Sequence, residues 1–160
     1  MLRDKRANRY LELDPPEYYP DRFMTGNASF AAVAGQFSQI DLYNDGSLGT
    51  PILLYGLTVQ SAVNSIIYAF PAFGHGAVQV LSPISLNPLN PLREGKIYRD
   101  SAVSTGQTGF AMPVGGNGIY QWPYSWPITE IITGWSLRFL SNIAATTLTI
   151  GLIWMIEPTS

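Results

Sequence analysis

The sequence predicts an all-β protein, a jelly-roll-like β-sandwich that carries an extended N-terminal arm. The chain has 160 residues, of which 46% are apolar, so it can bury one sizeable core in one domain. Its 15 glycines and 12 prolines favour turn-rich β structure over a helical bundle. Short stretches of alternating polarity, separated by turn signals, indicate about seven to nine strands, which is typical of a sandwich.

Charged residues are scarce, and half of them lie in the first 22 positions. Only 12% of the chain is charged, about half the usual share. Ten charged residues precede Phe23, and ten more are spread over the remaining 138 residues, roughly a quarter of the density expected of a soluble domain. A free monomer normally covers itself with charged side chains. We therefore expect the body to bury much of its surface against copies of itself or against a scaffold.

Residues 1–25 are predicted to form the arm, and residues 26–160 the β-sandwich domain. Within the arm, Pro15, Pro16 and Pro20 exclude a regular helix over residues 14–20, because they lack amide donors and bias their predecessors to extended forms, whereas a short helix over residues 2–11 stays open. Aromatic side chains in this segment are suited to anchoring it on a neighbouring molecule, although an arm that packs on its own body remains an alternative. These predicted anchors are Tyr10, Tyr18, Tyr19 and Phe23.

Strand patterns begin near residue 28. Residues 30–39 alternate along a run that ends at Asn44-Asp45-Gly46, which is a hairpin-type turn sequence. Residues 83–95 form a long loop in which Asn-Pro-Leu occurs twice in tandem, a period that suits polyproline II. The other predicted strands span residues 51–60, 64–70, 76–82, 108–114, 119–124, 127–133, 135–141 and 147–157.

One uncharged apolar stretch is long enough for a membrane-spanning segment, but its residue pattern is that of a β-strand. Residues 139–156 contain no charged side chain. Within them, Leu148, Ile150 and Leu152 fall on alternate positions beside β-branched threonines, which indicates a buried strand. The charged start of the chain, with no apolar stretch after it, also argues against a secretory signal. We expect no contact with membranes.

The residues suited to metal binding do not form a known motif. Asp41, Asn44, Asp45 and Gly46 offer the oxygens that Ca²⁺ prefers, but their spacing departs from that of an EF-hand, so a plain turn is favoured. The chain has no cysteine, which removes disulfides and thiolate metal sites. We therefore predict no metal and no cofactor.

Catalytic motifs are incomplete as well. His75 lies between two glycines, and the chain contains no Gly-x-Ser-x-Gly elbow. Glu130 and Glu157 are the carboxylates that a glycosidase pair would need, but each belongs to an apolar strand where an ordinary outward-facing carboxylate is favoured. Gly115-Gly116-Asn117-Gly118 lacks the lysine of a phosphate-binding loop. We expect no enzymatic activity, and the net charge of −2 argues against direct nucleic-acid binding.

The strongest functional motif is a row of four aromatic residues on alternate positions. An extended chain places all four on one face. Such a row fills a subunit interface, stacks on sugar rings, or lines a sandwich core. Neighbouring Pro123 and Pro127 disfavour a central strand, so we predict a subunit interface first and glycan contact second. The row consists of Tyr120, Trp122, Tyr124 and Trp126.

The end of the chain contains the segment Gly134-Trp135-Ser136-Leu137 and a last predicted strand that ends with Trp154 to Glu157. These two segments resemble the last hairpin of small virion structural proteins of tailed bacteriophages, in which a Gly-Trp-x-Leu strand pairs with a final strand ending in Trp-x-x-Glu. The resemblance covers about 25 residues and is greatest to capsid decoration, or cement, proteins, in which a β-sandwich carries a terminal arm and commonly assembles as a trimer.

The resemblance implies a structural role in the virion, which is assembled in the host cytoplasm. The expected partners are further copies of this chain, in a homotrimer, and the major capsid protein or another virion protein. The chain would bridge adjacent capsomers and so oppose the pressure of packaged DNA. The alternative function is a receptor- or glycan-binding head of a phage fibre or spike, with Trp122 in its binding platform.

Deletion of residues 1–22 is expected to leave the body folded and to abolish capsid attachment, because the tethered arm supplies contacts at high effective concentration. Co-sedimentation of the truncated chain with capsids measures attachment, and circular dichroism controls for folding. Attachment as strong as that of the full chain would contradict this role.

Overall fold

The computed structural model describes residues 23–46, 50–81, 84–85, 95–104, 109–122 and 128–156. These residues form twelve β-strands and no helix, which confirms the all-β prediction. The strands are β1 (Phe23–Ala31), β2 (Phe37–Tyr43), β3 (Ile52–Ser61), β4 (Ser65–Phe73), β5 (Val78–Leu81), β6 (Ile84–Ser85), β7 (Lys96–Ala102), β8 (Phe110–Val114), β9 (Ile119–Trp122), β10 (Thr129–Ile131), β11 (Trp135–Ala144) and β12 (Thr147–Ile156).

Two antiparallel sheets make up the sandwich. In the first sheet, the strand order is β10-β3-β12-β1-β6, and β9 also pairs with β3. On one side, β12 pairs along nearly the whole of β3. On the other side of β3, β10 and β9 pair with successive parts of the strand. In the second sheet, the order is β5-β7-β2-β11-β4-β8.

The core lies between the sheets and is built by period-two alternation. In β12, the buried residues Leu148, Ile150, Leu152 and Trp154 are those whose spacing predicts a strand. Inward residues of the second sheet, such as Ile40 and Phe139, belong to the same core cluster. Burial of apolar side chains at this scale is the main stabilising contribution in a domain that lacks disulfides.

The indole ring of Trp154 determines how closely the neighbouring backbone can approach, because Gly26 and Gly95 lie against it. A Cβ at Gly26 would lie 2.6 Å from Cδ1 of Ile97 and 3.2 Å from the indole ring of Trp154. A Cβ at Gly95, whose φ is +80°, would lie 2.9 Å from the indole nitrogen. Both positions therefore need glycine if the indole is to stay where it is.

Two predicted hairpins are wrong, because in each case the chain crosses from one sheet to the other. Strands β11 and β12 lie in opposite sheets, so the two final strands do not pair with each other. Likewise, the segment Asn44-Asp45-Gly46 leads from β2 in one sheet to β3 in the other, although Gly46 has the positive φ of 71° that its turn sequence predicts. Alternation identifies a strand, but it does not determine which other strand pairs with it. That pairing depends on burial across the whole sandwich.

The predicted run over residues 30–43 is two strands separated by a turn. Gly35 has a φ of +79°, and the amide of Gln36 donates to the carbonyl of Val33 at 3.0 Å. Because residues 31–34 are mostly small, their alternation gives little contrast between an inner and an outer face. The sequence pattern therefore does not reveal the turn.

The first strand begins at Phe23, so it includes residues at the end of the predicted arm range of 1–25. Residues 1–22 lie outside the described residues. The apolar stretch over residues 139–156 forms β11 and β12. In the described part of the chain, no helix is long and apolar enough to cross a membrane.

Replacement of Gly95 by alanine is expected to lower the free energy of unfolding by about 1–3 kcal/mol more than replacement of Gly35. Both glycines have nearly the same positive φ, but a Cβ at Gly35 meets no atom within 4 Å, so the difference measures packing against Trp154. Urea unfolding of both variants gives the comparison. Equal destabilisation would show that the backbone conformation alone requires glycine at Gly95.

Candidate functional site

The described part of the aromatic row borders the core. Tyr120 is half-buried in β9 and packs against the main core cluster, whereas its neighbour Ile119 is 67% exposed. The backbone of Trp122 pairs with Leu57 at the edge of the first sheet. Tyr124 and Trp126 lie outside the described residues. Tyr120 therefore contributes to the core, and an interface formed by the rest of the row stays a prediction.

Among the four predicted arm anchors, Phe23 belongs to the body. Its side chain is only 3% exposed, and its ring meets that of Tyr55 edge to face, with centroids 5.4 Å apart. Leu53 and Met155 complete this small cluster. Phe23 is therefore bound to its own chain, because it pairs with β12 at the start of β1. Tyr10, Tyr18 and Tyr19 lie outside the described residues.

The oxygens that suggested a calcium loop are bound within the protein. Asp41 is fully buried and accepts hydrogen bonds from Nε of Arg138 at 2.9 Å and from the Gln39 amide at 2.9 Å. Asp45 pairs with Nζ of Lys96 at 3.0 Å. Across the described residues, no group of three or more acidic, histidine or cysteine side chains is placed to hold a metal. These residues form ion pairs and a turn.

His75 lies in an aromatic cluster with Tyr43 and Tyr98. Its ring stacks on Tyr98 with centroids 3.7 Å apart and meets Tyr43 edge to face at 4.6 Å. Its Nδ1 is 2.7 Å from the carbonyl oxygen of Gly76, which can only accept, so Nδ1 carries the proton. This arrangement gives His75 a packing role. Glu130 lies on β10, and Glu157 is outside the described residues.

Most charged side chains of the described body contact partners within the same chain. Two ion pairs take Asp41, Arg138, Asp45 and Lys96. The carboxylate of Asp100 accepts the amides of Ala77 and Ser101, and the guanidinium of Arg99 lies 5.1 Å from the ring centre of Phe30. Of these groups only Asp41 is buried, so the others remain at the surface while facing a partner in their own chain.

Three exposed apolar residues lie at one end of the sandwich, and we call them the end patch. Phe73 is 78% exposed, Ile132 52% and Trp135 37%. The rings of Phe73 and Trp135 meet edge to face with centroids 5.8 Å apart, and the two residues are paired between β4 and β11. Large apolar side chains that are exposed together mark interaction sites more often than scattered ones do.

Backbone hydrogen bonds hold the end patch in place. The amide of Gly74 donates to the carbonyl of Gly134 at 3.0 Å, and the amide of Gly134 donates to that of Asn44 at 2.9 Å. The amide of Trp135 donates to the carbonyl of Ile132 at 3.1 Å. Gly74 and Gly134 have positive φ values of 77° and 81°. The aromatic rings are thus presented on ordered turns.

Asn44 connects the loops below the patch. It is fully buried, and its side-chain nitrogen donates to the carbonyls of Thr50 and Ile131, each at 2.9 Å. Its side-chain oxygen accepts the amide of Gly46 at 3.0 Å. One side chain therefore joins the turn after β2 to the residues just before β3 and to the end of β10.

The sequence contains a signal for this patch that its strand pattern does not reveal. Phe73 directly precedes Gly74, and Trp135 directly follows Gly134, so both aromatic residues flank turn glycines at strand ends. An aromatic side chain at such a point lies at the rim of the core and remains partly in solvent. Only the pairing of β4 with β11 brings the two rings together.

Replacement of Asn44 by alanine is expected to lower the free energy of unfolding by about 2–4 kcal/mol, because two buried carbonyls and one amide lose their partner. Asn27→Ala is the control, since Asn27 is exposed on β1 and its loss is expected to cost about 0.5 kcal/mol or less. Thermal and urea unfolding measure both. A loss for Asn44→Ala no larger than that of the control would contradict its role.

Comparisons of this chain with known protein families, with characterised proteins and with solved structures find no match. The basis for a functional assignment is therefore the fold and the chemistry of its surface.

Proposed function

We propose that this chain is a structural virion protein of a tailed bacteriophage, a capsid decoration protein that assembles as a homotrimer and bridges capsomers. The observation that carries the proposal is the end patch, an ordered group of exposed apolar side chains on a body that is poor in charge. The arm, residues 1–22, would attach the trimer to the major capsid protein or another virion protein.

The strand order supports a jelly roll, the fold that the proposal requires. One sheet contains β1-β12-β3 followed by β9 and β10, and the other contains β2-β11-β4-β8. From β1 to β4 and from β8 to β12, the chain changes sheet at each connection, if β9 and β10 are taken as one broken strand. Eight such positions form the two Greek keys of a jelly roll. Strands β5 to β7 are then an insertion between β4 and β8.

The surface chemistry favours association of identical copies. Interfaces between proteins are depleted of charged residues at their centre and enriched in aromatic ones. In the described body, most charges are already paired, so contact between two copies would desolvate few free ions. The net charge of −2 on the chain gives little repulsion between copies. Closed rotational symmetry would bury the same patch on every subunit.

The mechanism is mechanical. A trimer with three arms contacts its scaffold at several points, and the first contact raises the effective concentration of the others. Internal pressure must then break more contacts before capsomers separate. Such a function needs no catalytic group, which agrees with the packing role of His75. The protein would reside in the virion.

Light scattering after size-exclusion chromatography is expected to show a trimer for the full chain. Phe73→Ser is expected to weaken self-association at least about tenfold, because buried aromatic residues dominate interface energetics. Val103→Ser is the matched control, since Val103 is 81% exposed and follows β7 at the opposite end of the sandwich.

Circular dichroism controls for folding, which an exposed side chain such as Phe73 should barely affect. A full chain that is monomeric at all concentrations would contradict self-assembly. Equal weakening by the two variants, or none by Phe73→Ser, would contradict the end patch as the interface.

A further inference from the structure

The outer face of the first sheet carries a group of apolar side chains that is separate from the sandwich core, and we call it the outer cluster. Along β12, the core residue Trp154 lies between Ile153 and Met155, so these two point away from the second sheet. The outer cluster is formed where three neighbouring strands, β1, β12 and β3, begin or end. Its members are Phe23, Leu53, Tyr55 and Met155, with Ile153 packed against them.

The outer cluster is buried almost as completely as the core. Met155 is only 1% exposed, and none of its three buried neighbours exceeds 7%. The outer face of an antiparallel sheet commonly meets solvent. Ile119, which β9 presents on this same face because Tyr120 points into the core, is 67% exposed. These exposures are those of one chain, so atoms of the same chain cover the outer cluster.

The covered area ends partway along the sheet. On β1, the outward residues change from buried Phe23 through half-buried Thr25 to exposed Ser29. The chemistry changes in parallel, because the far half of β1, β12 and β3 carries mainly small, hydroxyl and carboxamide side chains on this face. There, the hydroxyls of Ser29 and Thr149 are hydrogen-bonded at 2.9 Å and exposed. The covered half is the one beside Phe23, where residues 1–22 join the body.

We propose that residues 13–22 fold back from Phe23 and bind the outer cluster of their own chain. Three strands at a spacing of about 4.8 Å span about 10 Å. Ten residues extended as polyproline II span about 30 Å, so this segment is long enough to cross the cluster. It also supplies apolar side chains for the contact, namely Leu13, Tyr18 and Tyr19.

The composition of the segment suits a sheet face. Such a face offers side chains only, because the ladder occupies its backbone groups. Pro15, Pro16 and Pro20 favour polyproline II, which leaves its own backbone solvated and needs no ladder partner. Proline-rich segments bind surfaces lined by aromatic rings. The rings of Phe23 and Tyr55, which meet edge to face at 5.4 Å, provide such a surface.

Other segments adjoin this half of the face less directly. Residues 86–94 and 123–127 follow β6 and β9, which lie at the two edges of the sheet. Residues 157–160 are Glu-Pro-Thr-Ser and bring no large apolar side chain. The arm, by contrast, joins the outer cluster itself through Phe23. The inference does not rest on the proposed function, and it leaves residues 1–12 available for attachment to a scaffold.

Oxidation of methionine by hydrogen peroxide, followed by peptide mass spectrometry, measures access to the outer cluster. In the full chain, Met155 is expected to be oxidised as slowly as Met112, which is fully buried in the core. The double variant Tyr18→Ser, Tyr19→Ser is expected to accelerate oxidation of Met155 at least about tenfold and to leave Met112 unchanged. Tyr10→Ser is the matched control, since it makes the same change outside residues 13–22 and should leave Met155 protected.

Two results of this experiment would overturn the proposal directly, namely unaltered oxidation of Met155 in the double variant and equal acceleration by Tyr10→Ser. The internal loops are tested in the same way with Leu89→Ser and Trp126→Ser. Acceleration by one of these changes, and not by the double variant, would assign the cover to residues 86–94 or 123–127 and reject the arm.

A spin label gives a second measurement that keeps both tyrosines in place. The chain has no cysteine, so Glu17→Cys carries a single label beside them. In the full chain with ¹³C-labelled methionine methyl groups, this label is expected to broaden the Met155 signal strongly and that of Met112, in the second sheet, much less. An unbroadened Met155 signal would contradict the proposal.

Mixing distinguishes binding within one chain from exchange of arms between copies. Spin-labelled chain without ¹³C is combined with ¹³C-labelled chain that carries no spin label. The Met155 signal is expected to stay sharp in this mixture, because each arm binds its own body. Broadening there as strong as in the doubly labelled chain would show that the arm binds a second copy, which contradicts docking within one chain.

Discussion

Burial of Trp154 between the two sheets is the constraint on which the rest of the structure depends. Its indole is fully buried, and Gly26 and Gly95 leave room for it on the neighbouring backbone. A ring of this size contributes much apolar surface to the core. It also fixes the separation of β1, β7 and β12, because close-packed interiors adapt little to a change in volume. The loops at the same end of the sandwich are therefore attached to a rigid, close-packed part of the core.

A second feature of the fold is that two buried polar side chains, those of Asp41 and Asn44, join strands and loops. Asp41 and Arg138 face each other across β2 and β11 with a bidentate geometry of 2.9 Å and 3.1 Å. Asn44 satisfies three backbone groups with one side chain. Arrangements of this kind order the loops.

The two ends of the sandwich consequently present different chemistry. At one end, Phe73 and Trp135 extend from turns held by glycines at positive φ and offer an apolar contact. At the other end, the side-chain oxygens of Asn64 and Asn142 accept the backbone amides of Gly116 and Ile66. The end patch is the surface through which we propose that copies of the chain associate.

The sequence by itself determined the all-β class, most strand positions and the inward face of β12, because period-two burial is a local property of the chain. It also determined the scarcity of charge. Only the tertiary structure decided that β11 and β12 lie in opposite sheets, that Tyr120 contacts the core, and that Phe73 meets Trp135. These facts depend on pairings between residues far apart in sequence. Alternation shows which side of a strand is buried, but the strand that lies beside it is chosen by packing of the whole sandwich.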